Sequence, residues 1–224
     1  MLTVIPDLLD AATITRVRGI VEGGEWIDGS ATSGHQATLA KHNRQLSEGS
    51  AAAREAGEIV VAALQSNPTF VAAALPAKVY PPLFNRYAGG ERFDTHVDNA
   101  LRLGANGLRV RSDLSATLFL SDDYDGGALL IEERHGVQSV KLPAGHMILY
   151  PSSSLHRVEP VTRGERLASF FWIQSMVRDD GARRILFDLD NATRAVAAAQ
   201  GAGDRTTVEL TGVYHNLLRR WADA

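Results

Sequence analysis

Two residues of this 224-residue chain open a chemical reading: His96 and Asp98, in the string RFDTHVDN. In an extended segment, residues i and i+2 point to the same side, so an imidazole and a carboxylate at this spacing can grip one ion together. The pair alone is a weak signal, because a histidine two places before an aspartate also arises by chance and can sit idle on a surface. A third donor strengthens it. His156 follows the turn string YPSSS at the start of a candidate strand, 58 residues beyond Asp98. Two histidines and one carboxylate from distant strands form the facial triad of non-haem Fe(II) oxygenases, which leaves open positions for a chelating cosubstrate and dioxygen. A zinc hydrolase needs only one open position and can use the same three donors, so the ligand set leaves both readings standing.

Arg166 lies ten residues after His156, across the TRGE turn. The spacing predicts a hairpin that sets the two side by side. A planar, permanently charged guanidinium suits a carboxylate, which it binds bidentately. Strand parity places Arg166, Ala168, Phe170 and Trp172 on one face, consistent with a partly buried cavity. By the same parity Leu114, Ala116, Leu118 and Leu120 form a face for covering helices, while Ser115, Thr117 and Phe119 line a mostly apolar pocket. Tyr87 precedes His96 by nine residues, and its hydroxyl is within reach of a ligand beside the metal; a place in the core or at the rim is the alternative.

The other histidines, at 35, 42, 135, 146 and 215, lack an acid at ligand spacing and are expected to bind no metal. Lys41, His42 and Arg44 form a small basic cluster, read as a solvated loop, with a place near the pocket mouth as the alternative.

These residues need elements to hold them. The N-terminal third reads as helical: Asp10 caps a helix carrying Ile14, Val17, Ile20 and Val21 and ending near Gly23-Gly24. Residues 28–35 read as loop, and a second helix spans Ala51–Leu64, ending around Asn67-Pro68. From Lys78 the pattern changes to short strands: 78–80, 83–87, 114–120, 128–132, 137–141, 146–150, 156–160 and 167–174. Gly-rich and Pro-containing turns separate them, which predicts an antiparallel sandwich or barrel. Helix returns after Arg178, and Leu210, Val213, Tyr214, Leu217, Leu218 and Trp221 form a broad apolar stripe. That stripe is read as packing on the barrel, with a homodimer interface as the alternative. The domain reading is 1–77 as a helical segment packing on the core, 78–176 as the catalytic β domain and 177–224 as a helical extension.

Composition narrows the possibilities. Apolar residues make up 45% and charged residues 22%, and the net charge is −3 without blocks of one sign, which disfavours nucleic acid or an anionic membrane as partner. There are no cysteines, so disulfides, thiol catalysis and Cys-ligated clusters are excluded. No basic leader followed by an apolar run opens the sequence, and the chain is expected to be soluble and cytoplasmic.

The strings FNRYAGGERFDTHVDNALR, DLSATLFLSDDYDGGALLI, LYPSSSLHRVEPVTRGER and QSMVRDDGARRILFDLD resemble the bacterial PKHD-type hydroxylases, PiuC-like relatives of prolyl and lysyl hydroxylases. The likeness runs from WIDG and KHNRQL to about Asp190. It implies an α+β protein with a double-stranded β-helix (jelly-roll) core and flanking N- and C-terminal helices. It implies an Fe(II)- and 2-oxoglutarate-dependent dioxygenase, with His96, Asp98 and His156 holding one Fe(II) per subunit. Arg166 would partner the distal carboxylate of 2-oxoglutarate, Tyr87 would lie near it, and Trp172 would be a pocket residue. Where some relatives have a second cosubstrate-binding tyrosine this chain has Phe119, and Thr117 or a water is the expected substitute. Ascorbate would serve as reductant, the substrate would be a small molecule or peptide, and a link to iron acquisition is implied. The rival reading is a non-catalytic metal or 2-oxoglutarate sensor on the same scaffold.

Overall fold

The computed structural model describes residues 2–29, 40–133 and 136–223. His35, His135 and residues 30–35 of the expected loop over 28–35 lie outside the described residues, while Asp28, at its start, ends a strand. In chain order the N-terminal part comprises β1 (Thr3–Ile5), α1 (Ala11–Glu22), β2 (Trp26–Asp28), β3 (Lys41–His42), β4 (Arg44–Leu46), α2 (Ala51–Ser66) and α3 (Pro68–Ala74). The middle runs β5 (Pro76–Val79), β6 (Leu83–Ala88), β7 (Arg92–His96), β8 (Leu101–Leu103), β9 (Arg109–Arg111), β10 (Leu114–Phe119) and β11 (Asp125–Gly126). Then come β12 (Leu129–Glu133), β13 (Gly136–Val140), β14 (Met147–Pro151), β15 (His156–Val158), β16 (Val161–Arg163) and β17 (Glu165–Ser175). Helices α4 (Asp180–Gln200) and α5 (Arg205–Trp221) close the chain.

Local chemistry sets the helix ends. Asp10 caps α1 by accepting from the Thr13 amide at 2.7 Å, as its position predicts. Asn67 ends α2, but the chain does not leave helix there: the Asn67 side chain accepts from the Phe70 amide at 2.9 Å and Pro68 occupies the first turn of α3. Asp179 caps α4 in the same way.

The strands form an eight-stranded sheet in the order β1-β14-β10-β17-β6-β4-β2, with β5 also on β17, and a five-stranded sheet in the order β13-β12-β15-β7-β3. Neighbours pair antiparallel, as in a jelly roll. The N-terminal third is therefore not only helical. Strands β1, β2 and β4 extend the larger sheet at its two edges, and β3 extends the smaller one. At two or three residues each, these strands are too short to show a period of two, and their partners lie far away in sequence, as Thr3 opposite Leu149 illustrates.

Sheet parity follows the sequence closely. Leu114, Ala116, Leu118 and Leu120 are buried with Val17, Val60, Leu64 and Phe70 of the covering helices. The opposite face meets the smaller sheet, where Phe119, Tyr87, Ile131, Ile148 and Tyr150 form a second core. Alternate side chains of one strand thus serve two layers. At the C-terminus, Tyr214, Leu217, Leu218 and Trp221 pack against Leu75, Val177, Ala182 and Leu186, so most of the apolar stripe is used within the chain. Val213 remains half exposed. No described helix is long and apolar enough to cross a membrane.

Candidate active site

The three expected donors meet at one end of the space between the sheets. Ligand atoms of His96, Asp98 and His156 all lie within 4.8 Å of one another, with His156 Nε2 3.7 Å from Asp98 Oδ2. Cross-strand pairing of β7 with β15 puts His96 opposite His156, their ring centroids 4.2 Å apart. Strand β7 ends at His96, so Asp98 reaches the site from the following segment and not from the strand itself.

Each donor is oriented by a second contact. The Nδ1–H of His96 donates to the Asp94 carbonyl at 2.9 Å and that of His156 to the Ser154 carbonyl at 3.0 Å. A carbonyl only accepts, so both rings carry the Nδ1 proton and offer Nε2 as the lone-pair donor. Phe93 stacks on His96 at 3.6 Å, and Tyr150 meets His156 edge-on at 5.1 Å. Burial, followed by the neighbouring His156, pulls the His96 imidazole down to about 4, which keeps it neutral. Asp98 Oδ2 accepts from Ser115 Oγ at 2.6 Å, and Ser115 Oγ lies 2.7 Å from Ser152 Oγ. Ser115 spends its single proton on the carboxylate, so Ser152 must be the donor in the second bond. Two imidazoles with Nδ1 tied to backbone carbonyls and one fixed carboxylate on one side fit a divalent metal with open positions opposite.

Arg166 shares the cavity with the triad, but not by the expected hairpin. Strand β17 pairs with β10 and β6, whereas β15 belongs to the other sheet. His156 and Arg166 therefore face one another across the cavity. A jelly roll sends successive strands to alternate sheets, so ten intervening residues do not make these two strands neighbours. Arg166 is 1% exposed. Its guanidinium lies 5.4 Å from the Tyr87 ring centroid and 5.2 Å from that of Phe119. Its Nε has no hydrogen-bond partner among the described residues, and neither does the buried Tyr124 hydroxyl. Burial raises the Tyr124 phenol while the Arg166 charge beside it pulls the other way. Burial likewise pushes Tyr87 up to about 12, so both remain O–H donors. Orphaned donors around a buried cation form a receptor for an anion.

Thr117 and Trp172 also line the cavity. Sequence reasoning missed Tyr150, Tyr124, Ser152 and Arg102, and held a place for Lys41 near the pocket mouth only as the alternative. Tyr124 sits in the acidic string SDDYDGG, which reads as solvated loop, yet it is 1% exposed. Of the basic cluster, His42 and Arg44 are exposed as expected, but Lys41 is 6% exposed and lines the cavity, which corrects the solvated-loop reading at that residue. Its partner in β7 is Phe93, far along the chain, and nothing local announces that pairing. Desolvation, then Arg102, lowers the Lys41 ammonium to about 8, so it stays mostly charged at neutral pH. His146 lies 3.5 Å from Asp7, away from the triad, as expected of a non-ligand.

A jelly roll bearing a two-histidine, one-carboxylate triad and a buried arginine defines the 2-oxoglutarate–Fe(II) oxygenase class, and the model of the 2OG-Fe(II) oxygenase superfamily matches residues 82–174. The PKHD-type hydroxylase C-terminal domain matches residues 180–223. A PKHD-type hydroxylase of Rhizorhabdus wittichii is 65% identical and one of Methylobacillus flagellatus 58%, each over the full length of both chains. The chain belongs to the PKHD-type hydroxylase family. Among solved structures, a Trichoplax adhaerens prolyl hydroxylase in complex with a hypoxia inducible factor peptide superposes with a TM-score of 0.60 at 16% identity, covering 83% of this chain and 86% of that one. HygX of Streptomyces hygroscopicus, with nickel, 2-oxoglutarate and hygromycin B bound, gives 0.55 at 14% identity, covering 78% and 82%. These two likenesses establish the jelly-roll fold. Family membership makes the protein a 2-oxoglutarate-dependent dioxygenase using Fe(II), and retires the zinc-hydrolase and sensor readings.

Proposed function

We propose that Arg166 holds the distal carboxylate of 2-oxoglutarate, and that the enzyme hydroxylates a small molecule or peptide admitted at the opposite end of the cavity. The observation that carries this is Arg166 itself: a buried guanidinium whose Nε has no partner among the described residues, facing the triad across one cavity. Tyr124 supplies the hydroxyl that Phe119 lacks, and Tyr87 adds an aromatic wall. Thr117 and Tyr150 stand between Arg166 and the triad, beside the body of the cosubstrate. Trp172, six residues along β17 from Arg166, lies in the outer half of the cavity.

Fe(II) would supply the redox chemistry that couples oxidative decarboxylation of 2-oxoglutarate, giving succinate and CO2, to C–H hydroxylation. The chain's residues do the rest. His96, Asp98 and His156 hold the metal from one side, Arg166 and Tyr124 fix the cosubstrate's orientation, and the ring of Phe93 shields the outer face of His96. Ascorbate serves as reductant when turnover runs uncoupled. The substrate's link to iron acquisition, a cytoplasmic location and a homodimer through the exposed remainder of the C-terminal stripe belong to the same proposal. The test is succinate release by the purified protein from 2-oxoglutarate, with and without Fe(II) and oxygen, alongside 2-oxoglutarate binding under anaerobic conditions. Absent binding at millimolar cosubstrate would overturn the Arg166 assignment.

A further inference from the structure

The outer half of the cavity carries charge that the cosubstrate chemistry does not use. Among the described residues lining it, the cations are Lys41, Arg102 and Arg166, and the carboxylate is Asp98. A divalent metal and a 2-oxoglutarate dianion cancel, and Arg166 offsets Asp98. Lys41 and Arg102 then leave the loaded cavity net positive. Lys41 Nζ donates to the neutral Gln45 Oε1 at 2.7 Å and lies 5.5 Å from the Phe170 ring centroid and 5.7 Å from that of Phe93. The Arg102 guanidinium stacks 4.0 Å over Trp172. The acids that act on Lys41 besides Asp98 are solvent-exposed, where water screens them: Glu48 accepts from Tyr80 Oη at 2.7 Å, and Asp28 lies on β2.

Position separates these cations from Arg166. Phe170 and Trp172 follow Arg166 by four and six residues on the same face of β17, roughly 13 and 20 Å along a strand. A cosubstrate anchored on Arg166 ends at the metal and does not extend to Trp172. Cations stacked on aromatic rings can be plain struts, but two of them lining one cavity, at the level of Phe170 and Trp172, also present N–H donors that suit an oxyanion.

We infer that the substrate of this enzyme is an organic anion, bearing a carboxylate or phosphate that seats on Lys41 and Arg102 while its apolar body lies against Phe170 and Trp172. This rests on the cosubstrate reading of Arg166. It fixes the substrate's direction of entry, with the charged group held outward and a C–H bond turned toward the triad.

The experiment is calorimetric titration of the Fe(II)-loaded full chain under anaerobic conditions with saturating 2-oxoglutarate, which fills the Arg166 end. The probes are benzoate, phenyl phosphate and the neutral isostere benzamide. Benzoate, phenyl phosphate or both should bind at least tenfold more tightly than benzamide, and the tighter of the two names the oxyanion. Arg102→Gln and Lys41→Met should each weaken anion binding about tenfold or more, leaving benzamide unchanged. Arg102→Lys, which keeps the charge, should recover part of that loss. Equal affinities for acid and amide, no anion binding at millimolar probe, or equal losses for acid and amide in the variants would each overturn the inference. Failure of 2-oxoglutarate itself to bind would bring down the cosubstrate reading, and this inference with it.

Discussion

Ser115 Oγ donates to Asp98 Oδ2 at 2.6 Å, and through this bond a residue of the larger sheet fixes a metal ligand that lies beyond the end of its own strand. Ser152 donates to Ser115 in turn, so the carboxylate is held by a chain of two hydroxyls. Partners of this kind typically contribute ten- to a hundredfold in metal affinity. Ser115→Ala should therefore weaken Fe(II) binding by about that factor, while loss of the buried bonds costs roughly 1–3 kcal/mol of stability. Metal titration of the apoprotein together with thermal unfolding checks both, and unchanged affinity would show that Asp98 needs no such support.

His96→Ala, Asp98→Ala and His156→Ala should each abolish 2-oxoglutarate decarboxylation and leave the fold largely intact. The three side chains sit at a cavity wall, outside the two apolar clusters that hold the sheets and helices together. Chelation should have the same effect on the wild type, reversed by Fe(II) and not by Zn(II). Succinate assays paired with circular dichroism test this. Near-normal turnover in any one variant would remove that residue from the triad.

Arg166→Leu should raise the KM for 2-oxoglutarate on the order of tenfold to several hundredfold and leave iron affinity nearly unchanged. A hydrogen bond to a charged group contributes about 1.5–3 kcal/mol net, and a bidentate pair adds less than twice that. Arg166→Lys keeps the charge, loses the fork and should fall between the two. Titrating 2-oxoglutarate at fixed iron reads the effect, and an unchanged KM in the leucine variant would place the cosubstrate elsewhere.

Tyr124→Phe tests the hydroxyl that sequence comparison could not place. With Phe119 lacking an oxygen, the Tyr124 phenol is a buried O–H that stands beside Arg166. Its removal should raise the KM for 2-oxoglutarate about three- to tenfold, the range of one neutral hydrogen bond. No change in KM would assign Tyr124 to packing alone.

Period-two parity made β10 and β17 legible, because each has one face committed to helices and one to the cavity, so the inward set that includes Ser115, Thr117, Arg166 and Trp172 follows from alternation. The triad was legible from donor type. Neighbourhood was harder. His156 and Arg166 suggest a hairpin by spacing, and only the alternation of strands between sheets puts them across a cavity from one another. The strands β1 to β4 are too short for a pattern. Lys41 and Tyr124 lie in polar strings whose local chemistry says solvent, and their burial comes from long-range partners: Phe93 for Lys41, and Arg166 for Tyr124.

Gly127 packs against the wall that supports Arg166. It adopts φ +62, and a Cβ added there would stand 2.8 Å from Val161 Cγ2, 3.0 Å from Tyr124 Cε2 and 3.2 Å from Arg166 Cδ. Val161 and Tyr124 are buried and have little room to retreat, so a methyl group must displace the Arg166 side chain or the wall that supports it. Gly127→Ala should thus carry two effects. The left-handed backbone costs an alanine about 1–2 kcal/mol, and overpacking adds about 1–3 kcal/mol, which together lower the thermal midpoint by roughly 5–15 °C for a chain of this size. The displaced guanidinium should also raise the KM for 2-oxoglutarate by about tenfold. Gly201→Ala separates the two. Gly201 has φ +99 with nothing within 4 Å of its added Cβ, at the end of α4 and off the cavity wall, so its substitution should lower stability and leave KM alone. Thermal unfolding and 2-oxoglutarate titration of both variants decide it: a Gly127→Ala enzyme with wild-type KM would mean that the contact with Arg166 yields without moving the cation.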